Sequence, residues 1–393
     1  MMQFQEIQAL EAANVMHTYN RFPLALDHGE GAMLYDTEGK AYVDMTAGIG
    51  VNCLGHNYAP LVEAVSKQAA KLMQASNLFY TEPLVRAASQ LTKASGMSKV
   101  FFANSGAEAN EGMLKLARKY SADKYGAGRG KVLTLLQSFH GRTLATLKAT
   151  GQEKFHQHFG PFPEGFDYIK PNDIADLKAH ADASVCAVMM EMVQGEGGVA
   201  PLEKTYVQEA AAYCAAHDIL FLVDEVQTGI GRTGSFFAYE QYGVKPDLVS
   251  AAKGLGGGVP IGAVLAAEKC ASVFGPGDHG TTFGGNPLST AAADVVLSVV
   301  AEPAFLKEVK EKGDWMMAQI EALHAPHVRA VRGLGLMIGV QLDTTELAPF
   351  VTKLRERGVL VLTAGKDVIR LLPPLVITKA ELQQALDAMK EVF

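Results

Sequence analysis

Cysteine is scarce in this chain, and its few copies are scattered. The four cysteines, Cys53, Cys186, Cys214 and Cys270, lie far apart and form no C-x-x-C pair. Zinc sites and disulfide frameworks use closely and regularly spaced cysteines, so the sequence favours neither. Free, widely separated cysteines are typical of a reducing compartment, and we expect the protein to be cytoplasmic.

The chain also lacks any block of basic residues and any long hydrophobic run. Its 35 lysines and arginines are outnumbered by 42 acids, which gives a net charge of −7, and the two signs are interspersed. A nucleic-acid surface would need clustered lysines and arginines. The N-terminus has no basic region and no apolar stretch of the length that spans a bilayer. We therefore expect no nucleic-acid partner, no membrane partner and no signal peptide.

The chain does contain a large apolar fraction, arranged in short runs. Hydrophobic residues make up 48% of the 393 positions and charged residues 20%, which favours a buried globular core. From about residue 59 to 300, apolar runs alternate with helical patterns, as in a mostly parallel sheet covered on both faces by helices. The predicted strands lie at 100–102, 132–135, 185–190, 219–223, 248–250 and 261–266.

A change in the pattern of predicted helices and strands near residue 304 indicates a second lobe. Amphipathic helices there alternate with strands near 336–341 and 367–372. We divide the chain into an N-terminal segment, 1–55, that joins the small lobe, a large domain, 56–300, and a C-terminal small domain, 301–393.

One strand end and one lysine carry the strongest chemical signal. The run Ile219–Val223 ends in Asp224, and an acid at the carboxyl end of a buried strand faces the crevice of an open α/β sheet. Lys253 follows among alanines and glycines, a setting that lowers the pKa of its amine and exposes it. A reactive lysine and a fixed acid are the groups that a pyridoxal-phosphate enzyme requires.

The segment Asn104–Glu111 has the pattern of a phosphate-binding helix start. Ser105 can cap the helix, Glu108 completes a capping box, and Gly106 allows a sharp turn close to a ligand. The free N–H groups of the first turn, with the helix dipole, would hold a phosphate. An ordinary capped helix has the same pattern. The small residues at 280–287 either extend this site or form a surface loop.

Two other patterns do not support a site. Gly229–Gly234 matches the dinucleotide fingerprint G-x-G-x-x-G, but no helix opens on its glycines and no acid follows about twenty residues later. We reject a nucleotide site there. His156 and His158 have the spacing of metal ligands but no third ligand, so we expect a solvated loop and no metal.

Seven motifs occur in a fixed order along nearly the whole chain. They are NSGAEANE at 104–111, SFHGRT at 138–143, QGEGG at 194–198, DEVQTGIGRTG at 224–234, AAKGLGGGVPIGA at 251–263, TTFGGNP at 281–287 and RLLPP at 370–374. In this order they resemble the class-III pyridoxal-phosphate-dependent aminotransferases. The resemblance implies fold-type I, an α/β fold whose mostly parallel seven-stranded sheet has helices on both faces and binds pyridoxal 5'-phosphate, with a smaller α/β lobe.

The resemblance implies a cofactor-binding role for each matching residue. Lys253 corresponds to the lysine that binds the cofactor covalently and then moves the substrate proton, and Asp224 to the partner of the pyridinium nitrogen. Gln227 would hydrogen-bond the phenolic oxygen, and Phe139 would stack on the ring. Thr282 would reach the phosphate of the neighbouring subunit, which implies a homodimer with active sites at its interface. The remaining members of the implied cofactor-binding set are Ser105, Gly106, Ala107, Glu225 and Val226.

Two arginines define the substrate class that the resemblance implies. By the resemblance, Arg142 and Arg370 correspond to carboxylate-binding arginines. Arginine suits this role because its guanidinium is a rigid fork that fits a carboxylate. Glu196 corresponds to a gate that pairs with an arginine for one substrate and releases it for the other, and Thr281 to a residue that touches substrate across the interface. For Arg370, an ion pair with Asp367 is the alternative.

The resemblance implies a ping-pong amino transfer from N2-acetyl-L-ornithine to 2-oxoglutarate, giving N-acetyl-L-glutamate 5-semialdehyde and L-glutamate in arginine biosynthesis. Three alternatives stay open: an aminotransferase for ornithine, succinylornithine or 4-aminobutyrate, an aminomutase of the same fold, and a non-enzymatic ligand-binding regulator. Glu191 and Glu225 have no chemical assignment beyond support of the site.

Overall fold

Strands in four sheets form the framework of the protein, for which the computed structural model describes residues 2–393. In chain order the strands are β1 Leu26–Glu30, β2 Met33–Asp36, β3 Ala41–Asp44, β4 Lys99–Ala103, β5 Lys131–Leu135, β6 Phe166–Ile169, β7 Val185–Met190, β8 Val193–Gln194, β9 Ala200–Pro201, β10 Leu220–Asp224, β11 Leu248–Ala251, β12 Gly262–Ala266, β13 Val328–Leu334, β14 Met337–Leu342, β15 Val359–Leu360, β16 Leu362–Ala364 and β17 Val368–Leu371.

Helices connect and cover these sheets. They are α1 Phe4–Asn14, α2 Ala47–Gly50, α3 Ala59–Lys71, α4 Glu82–Ser95, α5 Gly106–Tyr125, α6 Leu144–Ala149, α7 Ile174–His180, α8 Lys204–Ala216, α9 Tyr239–Tyr242, α10 Pro287–Val300, α11 Pro303–Ala322, α12 Ala348–Glu356 and α13 Lys379–Val392. The short α2 is a left-handed turn, because all four of its residues have positive φ. Across residues 2–393 no single helix is long and apolar enough to span a membrane. Only α10 and α11 taken together reach that length and apolar content, and the two helices meet at a bend of 75°.

The central sheet has seven strands in the order β4-β12-β11-β10-β7-β5-β6. Only β12 runs antiparallel to its neighbours, and the other adjacent pairs are parallel. β7 and β10 are buried along their whole length, because helices cover both faces of the sheet and leave these strands no solvent-exposed side. The predicted seven-stranded, mostly parallel sheet is confirmed.

The carboxyl edge of this sheet gathers the segments that carry the motifs. β10 ends at Asp224, which is in register with Ser250 on β11. β7 lies on the other side of β10, with Met190 opposite Val223. The carboxyl ends of parallel strands share one edge, so the loops that follow β7, β10 and β11 meet there, as expected for a ligand site in an open α/β sheet.

Two smaller sheets contain the ends of the chain. β13-β14-β17-β16 is antiparallel, and β1-β2-β3-β15 joins the N-terminal strands to the C-terminal region. In the second sheet β15 pairs in parallel with β3, through Val359 opposite Val43. This pairing connects the first fifty-five residues to the C-terminal lobe, while the three-part domain division stays a prediction.

Candidate active site

A cavity of about 580 Å³ opens at the carboxyl edge of the central sheet. Its wall combines the start of α5, the segment after β5 and the segments after β7, β10 and β11. Of the predicted site residues, the structure brings these to the cavity wall: Ser105, Gly106, Ala107, Phe139, Arg142, Asp224, Val226, Gln227 and Lys253.

Asp224 is fixed in one orientation by three donors. His140 donates from Nδ1 to Oδ2 over 2.8 Å, and Asn110 donates from Nδ2 to the same oxygen over 2.7 Å. The backbone N–H of Val226 donates to Oδ1 over 2.9 Å. The carboxylate is buried, and hydrogen bonds to a charged acceptor in a buried site are the strong kind. Asp224 therefore presents a fixed negative charge to the cavity.

The two side chains that hold Asp224 keep unsatisfied polar atoms. His140 Nε2 and Asn110 Oδ1 are both buried, and neither has a hydrogen-bond partner among the described residues. Buried polar atoms are rarely left unpaired in proteins, and those that are often belong to functional sites. Both residues line the cavity.

Lys253 opens a 3-10 turn, Lys253–Gly256, directly after β11. Its backbone has φ 44°, a left-handed conformation that is unusual for a residue with a side chain. Burial in the cavity wall, together with the positive charge of Arg370, lowers the pKa of its amine to about 8. The turn is also tied to a distant segment, because the Cys53 thiol donates to the Gly254 carbonyl over 3.1 Å. The result is an amine whose neutral form is accessible near neutral pH.

The start of α5 differs in one detail from the prediction. Ser105 does cap the helix, since its Oγ accepts from the N–H of Glu108 over 3.1 Å. The predicted capping box is wrong, because the Glu108 carboxylate accepts instead from the N–H and the side-chain amide of Asn104, both at 2.8 Å. Asn104 offers this carboxylate two donors, where Ser105 would offer a single N–H. The N–H groups of Gly106 and Ala107 have no acceptor within the helix and lie at the cavity wall.

Glycine is required at position 106 by close packing. A Cβ atom there would lie 2.6 Å from Cγ1 of Val226, a distance that Cβ atoms do not adopt. The contact joins the start of α5 to the segment after β10. The first-turn N–H groups are thereby held beside Asp224.

Arg370, Glu196 and Gln227 form a cluster next to the cavity. Arg370 is buried and donates to Oε1 of Glu196 over 2.5 Å and to Oε1 of Gln227 over 3.2 Å. Burial alone would raise the pKa of Glu196, but the charge and hydrogen bond of Arg370 bring it below its ordinary value. The alternative pair with Asp367 does not form: the acid that pairs with Arg370 is Glu196, and the Asp367 carboxylate accepts from Gln341 over 2.8 Å.

The two acids without an assignment behave differently. Glu191 lines the cavity and accepts from the Phe139 N–H over 3.0 Å. Burial, with the negative charge of Asp224, raises the pKa of Glu191 well above its ordinary value.

Glu225, in contrast, does not line the cavity, and its inclusion in the cofactor-binding set stays a prediction. It accepts from the Thr228 hydroxyl over 2.5 Å and from the Tyr239 N–H over 2.9 Å. Burial raises the pKa of Glu225 to about 7. In β geometry neighbouring side chains point to opposite sides, so the residue after Asp224 faces the loop that follows.

Phe139 and Arg142 lie on the segment after β5. The Arg142 guanidinium carbon is 5.4 Å from the centroid of the Phe139 ring and 4.1 Å from that of Phe155. Arg142 is exposed at the cavity wall. Such stacking holds a guanidinium without occupying its N–H groups.

Thr281 and Thr282 do not line the cavity of the single chain. The Thr281 hydroxyl accepts from the Asn104 side chain over 3.2 Å, which ties its loop to the start of α5. Thr282 is exposed, and its carbonyl accepts from the side chain of Gln74. Their roles across a subunit interface stay predictions.

Several cavity residues received no role from the sequence, among them Tyr19, Val51, Asn110 and His140. His140 and Asn110 stand inside the motifs SFHGRT and NSGAEANE, so their motif membership was the available signal. Asn110 sits four positions after Gly106, one helical turn into α5, where a polar residue on the buried side requires a partner. Tyr19 and Val51 carried no signal, because distant parts of the chain bring them to the cavity.

The chain is similar to known proteins along nearly its whole length. The profile of the family Aminotransferase class-III matches residues 15–393. Acetylornithine aminotransferase of Haemophilus ducreyi is 50% identical over 390 residues, covering 99% of this chain and 98% of that protein. The protein of the same name from Caldanaerobacter subterraneus is 49% identical over 385 residues, with 98% of each chain covered.

Solved structures show the same fold. The crystal structure of acetylornithine aminotransferase from Elizabethkingia anophelis superposes with a TM-score of 0.89 at 33% identity, over 100% of this chain and 99% of that one. Ornithine aminotransferase from Toxoplasma gondii ME49 gives a TM-score of 0.96 at 31% identity, over 100% and 95% of the two chains. The fold is therefore fold-type I, as expected. By sequence along nearly its whole length and by structure, the chain belongs to the class-III aminotransferase family.

Proposed function

We propose that this enzyme transfers the terminal amino group of N2-acetyl-L-ornithine to 2-oxoglutarate with the help of pyridoxal 5'-phosphate. The products would be N-acetyl-L-glutamate 5-semialdehyde and L-glutamate. The observation that carries the proposal is the meeting of Lys253, with its lowered pKa, and the fixed carboxylate of Asp224 in one cavity beside the start of α5.

The residues present fit pyridoxal phosphate. The free N–H groups of Gly106 and Ala107, with the Ser105 hydroxyl, suit a phosphate at a helix N-terminus. Asp224 suits a protonated pyridine nitrogen and Lys253 suits an aldehyde. Phe139, Val226 and Gln227 complete the cofactor set in the proposal. When bound, the cofactor supplies an electron sink that stabilises negative charge on the substrate carbon.

Protons are handled by Lys253 in this proposal. Its Nζ, with a pKa of about 8, would remove a proton from the carbon that bears the donor's terminal amine. In the second half of the reaction it would deliver a proton to the keto-acid carbon that becomes the α-carbon of glutamate. Asp224, held by His140 and Asn110, keeps its charge and direction throughout. A base with a pKa close to the working pH both accepts and releases a proton readily.

Carboxylates are bound by the two arginines. Arg142 has no acid partner among residues 2–393 and would bind the carboxylate of the amino donor. Arg370 would bind a carboxylate of 2-oxoglutarate once Glu196 releases it. Thr281 would touch substrate from the neighbouring subunit. Each of these is a role taken from position in the motifs and from the contacts above.

A shared dimer site is part of the proposal. Thr282 is exposed beside Phe283, whose side chain is 62% exposed, and the segment Leu78–Tyr80 exposes three large apolar side chains. Gln74 and Asn77 bond the 281–284 loop, so these exposed groups lie together. A contiguous apolar patch of this kind is typical of a subunit interface.

The acetylated donor is supported by the relatives named acetylornithine aminotransferase. The Toxoplasma gondii neighbour, named ornithine aminotransferase, keeps the unacetylated donor as the competing candidate. The test is kcat/KM for N2-acetyl-L-ornithine, succinylornithine, ornithine and 4-aminobutyrate, each with 2-oxoglutarate. We expect N2-acetyl-L-ornithine to give the highest value. A higher value for any of the others would replace it as the substrate, and no consumption of 2-oxoglutarate with any donor would reject the transferase reaction.

A further inference from the structure

Arg142 is held by aromatic rings alone. Among residues 2–393 it makes no hydrogen bond and no ion pair, and its two close partners are the rings of Phe155 at 4.1 Å and Phe139 at 5.4 Å. A flexible arginine at an exposed cavity wall would otherwise sample many rotamers. The nearer ring, that of Phe155, is not part of any motif that the sequence assigned to the site.

Phe155 is itself fixed on a short, well-anchored turn. The 3-10 turn Glu153–Phe155 is closed by the bond from the Phe155 N–H to the Gln152 carbonyl at 3.0 Å. The buried Gln152 side chain donates to the Ser138 carbonyl over 2.9 Å, which ties the turn to the segment that carries Phe139 and Arg142.

A second anchor follows the turn. His156 Nε2 lies 2.9 Å from the Leu147 carbonyl and 2.8 Å from that of Thr150, so it donates to the end of α6. This is the histidine whose spacing from His158 resembled a metal pair. Its contacts instead fix the turn that presents Phe155.

Stacking on a ring and pairing with an acid have different consequences for an arginine. An acid partner occupies the N–H fork that a carboxylate ligand needs, as Glu196 does at Arg370. A ring attracts the guanidinium through its face and leaves all five N–H donors available.

We propose that Phe155 is the positioning residue of Arg142, which it holds over its ring so that the guanidinium stays directed and free for the carboxylate of the amino donor. This inference rests on the proposed function, in which Arg142 binds that carboxylate. Phe155 would act on donor binding and not on the proton transfer at Lys253, since it does not line the cavity.

The Phe155 ring also provides the matched control. The Lys154 ammonium lies 4.8 Å from the centroid of the same ring and is exposed. Lys154→Gln removes a cation from the ring without touching Arg142. Its expected effect on donor binding is less than about twofold, as for an exposed surface charge.

The test measures binding of an inert donor analogue to the holoenzyme. N-acetyl-L-norvaline, which is the donor without its terminal amine, serves as the competitive inhibitor. We expect Phe155→Leu to raise its Ki, and the KM for N2-acetyl-L-ornithine, by about threefold to twentyfold. The kcat should stay within about twofold, and Phe155→Tyr should restore Ki because it keeps the ring face.

Two further arms make the result specific to Arg142. In an Arg142→Leu background, Phe155→Leu should change Ki by less than about twofold, since the interaction is already gone. N-acetyl-L-norvalinamide, whose carboxylate is replaced by an amide, should show the same weak inhibition of wild type and Phe155→Leu. The absorption spectrum of the bound cofactor should be the same in all variants.

The outcomes separate the inference from the function on which it rests. If Arg142→Leu raises Ki and Phe155→Leu does not, Phe155 has no positioning role. If Phe155→Leu weakens the amide and the acid equally, or adds its full effect in the Arg142→Leu background, it acts through general structure and the inference is overturned. If Arg142→Leu itself leaves Ki unchanged while transamination persists, the carboxylate role of Arg142 in the proposed function fails as well.

Discussion

The buried amine of Lys253 should destabilise the cofactor-free protein, and the size of the effect can be worked out from its pKa. An ordinary lysine has a pKa of about 10.4, and a folded value of about 8 corresponds to about 3 kcal/mol at 1.36 kcal/mol per pH unit. The pKa of Lys253 is lower in the folded protein than in the unfolded chain. The loss of folding stability that its charge causes is therefore present in full below pH 8, and it disappears as the pH rises from 8 to about 10.4. Lys253→Met removes the charge and keeps the positive φ of the backbone, so only the electrostatic cost changes.

The assay is urea unfolding of cofactor-free wild type and Lys253→Met at equal protein concentration, followed by the fluorescence of Trp315, the single tryptophan. We expect the variant to be more stable by about 3 kcal/mol at pH 7 and by less than about 1 kcal/mol at pH 10. Lys154→Met, at an exposed lysine, is the control and should show no pH-dependent difference. Equal stability of wild type and Lys253→Met at pH 7, or a difference that does not shrink with pH, would refute the reasoning.

Three further predictions concern the loaded enzyme. Asp224→Asn should raise the dissociation constant of pyridoxal phosphate by about tenfold to a hundredfold, as measured by equilibrium dialysis. The reason is that a neutral amide replaces the charge and turns a donor towards His140 or Asn110. Unchanged affinity would show that Asp224 does not bind the cofactor. Borohydride reduction should add the cofactor mass to the peptide containing Lys253, and a modified peptide elsewhere would reject that lysine. In steady-state assays with 2-oxoglutarate as the varied substrate, Glu196→Gln should lower KM by about threefold to tenfold, since a neutral side chain competes less for Arg370; a raised KM would contradict the gate.

Much of the fold follows from local pattern. The run Val185–Met190 is apolar at every position, and its burial on both faces is what such a run predicts. β13, Val328–Leu334, was not predicted, because it is the edge strand of its sheet and carries Arg329 and Arg332 in place of an apolar run. Charged residues on an edge strand protect it from pairing with other chains. They also interrupt the apolar pattern by which a strand is predicted from sequence.

The site residues that follow strand ends could be predicted from the sequence. The hydrogen-bond and stacking partners of side chains could not, because these depend on tertiary packing. Asp224 and Lys253 stand at the ends of β10 and β11, so topology alone brings them together. The Glu108 carboxylate had two possible partners within hydrogen-bonding reach, and only the folded chain shows that it bonds Asn104. Phe155 lies on a turn thirteen residues after Arg142 in the chain. Neither helix nor strand periodicity predicts a contact between two residues placed in this way.

In the proposed function, the contrast between the two arginines would let one site accept two different substrates in turn. The Arg370 side chain is 4% exposed, while that of Glu196 is 29% exposed, so the acid is the partner that can move into solvent. The backbone at Glu196 is held by a hydrogen bond, because its carbonyl accepts from the Gly365 N–H over 3.0 Å. As the proposed gate, Glu196 would therefore open by rotation of its side chain, and it would open only when a substrate carboxylate takes its place, since a buried guanidinium without a partner is costly.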